Sequence, residues 1–384
     1  PQHLLVRAAR GFSVVFMEEP VFADEPAPRL DVSERPGGVR VAVPVLPHGM
    51  GEAEIVAAQE RLLRSLLATA GADFTVFWYY TPMALAFSRA MAPDIVVYDN
   101  MDELSAFLGA PQALLDMERE LMARADLVFT GGVSIFEAKQ GRHSDIHPFP
   151  SSIDVHHFAG ARQGLADPAD QAGIPRPRLG FFGVIDERMD VDLLGEVADL
   201  RPDWQFVMLG PVVKIDPASL PRRPNIHWLG GKSYPELPAY LANWDLGLMP
   251  FAINEATRFI SPTKTPEFLA AGLPVISTPI RDVIRPYGDL GLVEIAATAG
   301  EIVARADALL AAPAGDLAPD WLARVDRQLA TTSWDRTWRE MQRQIERVRT
   351  TKIDASSAAP ARSVAARPPV PNRAREMERQ AVDV

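Results

Sequence analysis

Short, almost wholly apolar runs alternate with helix-length segments through most of the chain, and this alternation constrains the fold more than any other feature. VRVAVPVL, TVFWYY, DIVVYDN and DLVFT each have strand length. EAEIVAAQERLLRSLLATA, PMALAFSRA and PQALLDMERELMARA lie between and after them and have helical spacing. A strand that is apolar along its whole length belongs in a sheet covered on both faces, and strand–helix alternation makes that sheet parallel. IHPFPSSIDVHHF interrupts the rhythm with two prolines and two serines. A second series follows, with LGFFGVI, WQFVMLG, NIHWLG, LGLMPF, PVIST and LVEI as strands. Its helices are DLLGEVADL, YPELPAYLANW, KTPEFLAAG and GEIVARADALLAA. A chain of 384 residues is too long for one ordinary core. The expectation is α/β: two Rossmann-like domains with parallel sheets and a cleft between them, residues 1–155 and 156–333. The opening HLLVRAAR reads as a helix placed before any strand, so a first strand of the N-terminal sheet is expected upstream of residue 1. The segment 354–384, rich in Ala, Ser, Pro and Arg, reads as a disordered tail with one short helix at NRAREMERQ.

Composition removes several function classes. A formal net charge of −11 argues against nucleic-acid binding, which needs clustered Lys and Arg to neutralise phosphates. No apolar run reaches the length of a membrane span. No secretory signal is visible, and the expected location is cytoplasmic, with peripheral attachment at the inner face of a membrane left open. The absence of cysteine excludes disulfides and thiolate metal sites. His143, His147, His156 and His157 do not have metal-ligand spacing, and no metal or resident cofactor is expected.

In an open parallel sheet, ligands bind beyond the carboxyl ends of the strands. The richest such loop joins LGLMPF to PVIST and carries Asn254, Thr257, Ser261, Thr263, Lys264 and Glu267. Backbone N–H groups at a helix start, together with the Lys264 charge, suit a diphosphate. Glu267 could accept hydrogen bonds from two vicinal ribose hydroxyls. The plainer reading is that Thr263 to Glu267 only cap a helix. A second loop, FFGVIDERMDVDLL, offers Gly183 at a strand end and Arg188 beyond it, whose planar fork matches phosphate oxygens. A solvated surface role is the plainer reading of Arg188. From the N-terminal half, VYDNMDELSAF places Asp99 and Asp102 just after a strand, facing the cleft, where they could orient an acceptor hydroxyl or take its proton. Asp102 could equally cap the next helix. His3, at the start of the first helix, is a third catalytic candidate. Neither G-x-G-x-x-G nor a Walker loop is present, which argues against dinucleotide oxidoreductases and NTPases.

Taken in order, PQHLLVRAAR, YDNMDELSAF, ADLVFTGGVSIFEAK, FPSSIDVHHF, LGFFGVIDERMDVDLL, PTKTPEFLAAGLPVIST and SWDRTW resemble retaining GT-B glycosyltransferases of bacterial cell-wall and polysaccharide synthesis. They resemble most the subgroup that includes the teichuronic-acid glycosyltransferases. The resemblance extends to about residue 350 and implies a metal-independent transferase. It would take a nucleotide-diphosphate sugar, a UDP-sugar by expectation, to a glycan or lipid-linked acceptor. It further implies that Lys264 and Arg188 hold the diphosphate and Glu267 the ribose. Asn254 and Thr257 would lie near the sugar or phosphates, Gly183 would admit the diphosphate to the backbone, and residues 334–350 would form a helix returning to the N-terminal domain. One departure stands out: many relatives carry a Glu eight residues before the ribose-binding one, where this chain has Phe259. Two other readings stay open, a GT-B-fold nucleotide-sugar epimerase and a non-catalytic nucleotide-sugar-binding protein.

Overall fold

The structure is a computed structural model that describes residues 2–104, 111–311 and 320–358. The N-terminal half begins with α1 (Gln2–Ala8), followed by β1 (Val15–Met17), β2 (Val21–Ala23), β3 (Arg29–Arg35) and β4 (Val39–Pro47). β1 and β2 follow one another along one edge of β4, both parallel to it, and β3 folds back on the other edge as an antiparallel hairpin. Most β3 side chains are exposed, so its sequence lacks the apolar run that marks the other strands.

Next come α2 (Glu52–Ala70), β5 (Val76–Tyr79), α3 (Leu85–Ser88), β6 (Ile95–Asn100), α4 (Gln112–Arg124), β7 (Leu127–Thr130), α5 (Val133–Lys139) and β8 (Ile146–Pro148). The Glu54 carboxylate accepts from the Gly51 N–H at 2.9 Å at the start of α2, and Gly71 in the left-handed conformation ends that helix. β5, β6, β7 and β8 form a second parallel sheet in that spatial order. β8 lies inside the segment read as a break in the rhythm. It is an edge strand, where Pro148 removes no central ladder bond.

The C-terminal half starts with α6 (Val155–Ala159) and continues through β9 (Arg178–Phe182), α7 (Val191–Leu200), β10 (Gln205–Leu209), β11 (Ile226–Gly230), α8 (Leu237–Leu241) and β12 (Leu246–Met249). It is completed by α9 (Lys264–Ala270), β13 (Val275–Ser277), α10 (Arg281–Val283), β14 (Glu294–Ile295), α11 (Ala299–Ala311) and α12 (Trp321–Leu329). Its six strands are all parallel, in the order β11-β10-β9-β12-β13-β14. All five residues of β9 and all four of β12 are buried, as two-sided coverage requires. The order reverses direction between β9 and β12, which is where a doubly wound sheet opens a crevice for its ligand.

The last helix, α13 (Trp334–Ala358), leaves the C-terminal half and lies along the N-terminal one. Trp338, Met341, Ile345 and Val348 form its buried stripe, in one cluster with Leu4, Ile95, Val97, Leu127 and Phe129. Arg347 pairs with Asp145 at 2.6 Å and Lys352 with Asp126 at 2.7 Å. α13 extends through Ala358, so residues 354–358, expected as the start of a disordered tail, are helical. The short helix expected at NRAREMERQ falls outside the described residues.

Candidate functional site

The crevice at the reversal point is framed by the loops that follow β9 and β12. They are joined by hydrogen bonds from Asp190 N–H to Pro250 O at 2.8 Å, Ala252 N–H to Arg188 O at 2.9 Å and Asn254 Nδ2 to Glu187 O at 3.4 Å. Asn254 and Thr257 close the second loop on itself. The Thr257 N–H donates to Asn254 Oδ1 and the Asn254 N–H to Thr257 Oγ1, both at 3.1 Å. The Thr257 hydroxyl, buried at 2% exposure, also donates to Ala252 O. Thr257 therefore shapes the loop, while Asn254 remains exposed beside it.

Lys264 and Glu267 face the same crevice. Lys264 Nζ donates to Glu267 Oε2 and to Thr263 Oγ1, each at 3.0 Å, and lies 4.7 Å from the centroid of the Phe182 ring. Thr263 makes no side-chain capping bond, so the helix-cap reading does not account for this cluster. Burial pushes the Glu267 carboxyl above its ordinary range, and the Lys264 charge and hydrogen bond oppose that rise. Gly183, with φ +147°, ends β9 against the lysine: a Cβ at this position would lie 3.3 Å from Lys264 Cε. Gly210, with φ +149°, presses on the same turn so closely that its Cβ would fall 1.7 Å from Gly183 O. Sequence reasoning did not single out Gly210. Its position at the end of the neighbouring strand was the available signal.

Arg188 is not a solvated surface group. It grips Asp186, its Nε lying 2.9 and 3.1 Å from the two carboxylate oxygens and its Nη2 donating at 2.7 Å. Asp186 is 3% exposed, and these bonds raise the affinity of the guanidinium for its proton. The sequence reading missed Asp186, which looks like one of several surface charges in DERMD.

The two aspartates of the N-terminal half separate. Asp102 is near the C-terminal domain: burial raises its pKa, and Arg188 and Lys214 from across the cleft lower it. It does not cap α4, whose N-cap position is Pro111. Asp99 corrects the expectation that both carboxylates face the cleft. β6 runs on through residue 100, which puts Asp99 inside the sheet layer at 0% exposure. Trp78 Nε1 donates to its Oδ2 at 3.0 Å, while its Oδ1 has no partner among the described residues. Burial pushes its carboxyl up to about 7. His3 stacks on Trp334, with ring centroids 5.4 Å apart, and lies 5.7 Å from Tyr234. Tyr234 in turn stacks on His157 at 4.1 Å. His3 thus sits where α1, α13 and the C-terminal domain meet, and burial lowers its pKa. The other histidines have separate partners: His143 bonds Ala125 O at 3.0 Å and His147 bonds Asp145 at 2.7 Å. Among the described residues no three His, Asp or Glu side chains converge as a metal site would require.

The halves also touch directly, through residues that the sequence did not mark. Ser134 N–H at the start of α5 donates to the buried Asp282 of α10 at 3.1 Å. Glu137 pairs with Arg281 at 2.6 Å and Arg285 at 2.5 Å.

Residues 176–312 match the family described as Glycosyl transferases group 1. The chain is 28% identical over 227 residues to TuaH of Bacillus subtilis (strain 168), whose name assigns it to teichuronic acid biosynthesis as a glycosyltransferase. That match covers 55% of this chain and 57% of TuaH, so the chain spans little more than half of that relative's length. The sucrose-phosphate synthase of Thermosynechococcus elongatus superposes with a TM-score of 0.68 at 16% identity, covering 91% of this chain and 92% of that one. HepE of Anabaena, solved with UDP and glucose, gives a TM-score of 0.60 at 14% identity over 81% and 87% of the two chains. The chain has the GT-B fold, and the stretch of its C-terminal half over residues 176–312 is similar to glycosyl transferases group 1.

Proposed function

We propose that the chain is a glycosyltransferase that moves a sugar from a nucleotide-diphosphate sugar to a glycan or lipid-linked acceptor in polysaccharide or cell-envelope synthesis. The observation that carries this reading is the Gly183–Lys264–Glu267 arrangement at the reversal point of the sheet. A bare glycine turn lets a diphosphate approach the backbone, an ammonium lies beside it, and a carboxylate with two acceptor oxygens matches a ribose diol. The group 1 match over the same residues supports transfer over epimerisation. HepE with UDP-glucose, a similar structure, supports a uridine nucleotide as the donor.

In this reading the bond between the anomeric carbon and the donor diphosphate breaks, and negative charge grows on the leaving phosphate. Lys264 and Arg188, already held in place, stabilise that charge, and losing such a contact costs roughly 2.7–4 kcal/mol of barrier. Asp102, close to Arg188 across the cleft, orients the acceptor hydroxyl. Buried Asp99 and stacked His3 support the walls around it. The anomeric configuration is retained and no divalent cation is needed. The reaction takes place in the cytoplasm, at the inner face of the membrane if the acceptor is lipid-linked. Among the described residues no helix is long and apolar enough to cross a membrane. Release of UDP from UDP-glucose, followed with EDTA and with manganese, tests the chemistry. The same rate in both is expected, and activity that appears only with manganese would replace side-chain stabilisation with metal-bridged phosphates.

A further inference from the structure

A cavity of about 500 Å³ lies between the two domains, beside the donor crevice and separate from Lys264 and Glu267. Its N-terminal wall is Glu103, Glu118, Arg119 and Arg142, and its C-terminal wall is Glu255 and Phe259. Phe259 occupies the position where the resemblance predicts a carboxylate for the donor sugar. Here it is a half-buried ring, with the Arg258 guanidinium 5.1 Å from its centroid.

The opposite wall is rigid. Lys139, 2% exposed, lies 2.8 Å from Glu103 and also pairs with Glu118. Glu118 further accepts from Tyr98 Oη at 3.1 Å and from Arg142 at 3.2 Å. A network of this kind fixes carboxylate and guanidinium groups before a ligand arrives, which lowers the ordering cost of binding. Glu103, Glu118 and Glu255 are balanced by Lys139, Arg119 and Arg142, so the pocket has no positive excess to favour phosphate. A ligand that both donates and accepts through each of its polar groups suits such a mixture, and a sugar hydroxyl does both. An aromatic ring offers the apolar face of a pyranose a surface to rest on.

We propose that this pocket is the acceptor subsite, holding a neutral sugar ring of the acceptor glycan on Phe259. The replacement of the expected carboxylate by an aromatic side chain makes residue 259 a determinant of acceptor choice rather than a donor contact. This inference rests on the glycosyltransferase reading above, and its test separates the two. Saturation-transfer NMR would be recorded on the full chain with maltose, cellobiose and lactose as probes, and with UDP in the same samples. At least one disaccharide should receive saturation and keep it when UDP-glucose is added. Phe259→Ala should weaken that disaccharide about tenfold or more, Phe259→Tyr should restore it, and UDP should bind all three proteins alike. UDP binding in Phe259→Ala also shows that the variant is folded. The proposal is overturned if UDP binds but no disaccharide does, or if Phe259→Ala leaves disaccharide binding unchanged. Displacement of the disaccharide by UDP-glucose would also overturn it, making the pocket the donor sugar's own. If UDP itself fails to bind, the glycosyltransferase reading fails, and the acceptor assignment falls with it.

Discussion

Glu267 and Lys264 share a hydrogen bond in a partly buried crevice, and this sets what each can do alone. The carboxyl titrates above the usual glutamate range because burial outweighs the help from Lys264. Only the ionised form offers two acceptors to a ribose diol, so nucleotide affinity should fall as pH drops through that raised pKa. Glu267→Gln should weaken UDP binding by about 1.5–3 kcal/mol, the worth of hydrogen bonds to a charged group, and flatten the pH dependence. The turnover number at saturating donor should change much less, because the contact is equal in ground and transition states. Titration calorimetry across acidic pH with steady-state rates checks both; intact affinity with collapsed turnover would make Glu267 part of the chemistry. Asp99 is a contrasting case, since its burial affects stability. Its carboxyl is raised to about 7 from an ordinary 3.8, so the folded state holds the proton more tightly than the unfolded one. Its favourable contribution is complete below the unfolded pKa and is lost as pH rises through the folded one. Asp99→Asn keeps an acceptor for Trp78 and removes the titration. The variant should melt a few degrees above the native protein at about pH 8 and alongside it at about pH 4. A variant less stable at both would show that the charged form is wanted.

Among the elements, the loop after β9 departs most from what its sequence suggests. From its sequence Arg188 reads as a phosphate ligand or a solvated surface group. Its bidentate grip on Asp186 alters that: Arg188→Ala leaves a carboxylate that is 3% exposed without its partner. Removing one side of a buried pair costs about 3–5 kcal/mol, so this variant should lose both stability and nucleotide affinity. Thermal melts with nucleotide titration would show it, and an unchanged melting temperature would mean that Asp186 relaxes to solvent. Strands apolar on both faces, such as β9, β10 and β12, were legible because complete burial leaves no polar alternation to mislead. β3 and β8 were not, one being exposed along most of its length and the other a three-residue edge strand carrying Pro148. At the site, Gly183, Lys264 and Glu267 could be read from loop position. Asp186 and Asp282 could not, because their type is common on surfaces and the partner of Asp282 is distant in sequence. Asp282 meets Ser134 only when the two halves of the chain come together.

In the molecule as a whole, two α/β halves are tied by the Ser134–Asp282 bond, the Glu137 pairs with Arg281 and Arg285, and α13 crossing back over the N-terminal half. Asp102 and the 500 Å³ pocket come from this junction, while Gly183, Lys264 and Glu267 belong to the C-terminal half alone. Nucleotide binding should therefore need only the C-terminal site, whereas transfer needs both halves. In the proposed reaction this site holds a nucleotide-diphosphate sugar by its own side chains. This is tested most directly by calorimetric titration of UDP-glucose in EDTA into the native chain and into Lys264→Ala. Lys264 is the ion-pair partner of the largely buried Glu267, so ligand-free Lys264→Ala should melt below the native protein, and the titration is made at a temperature where both are folded. One site is expected on the native chain, weakened about tenfold or more by Lys264→Ala, the least that a charge-assisted hydrogen bond is worth. Equal affinity in the two proteins, or no binding by the native chain until manganese is added, would contradict it.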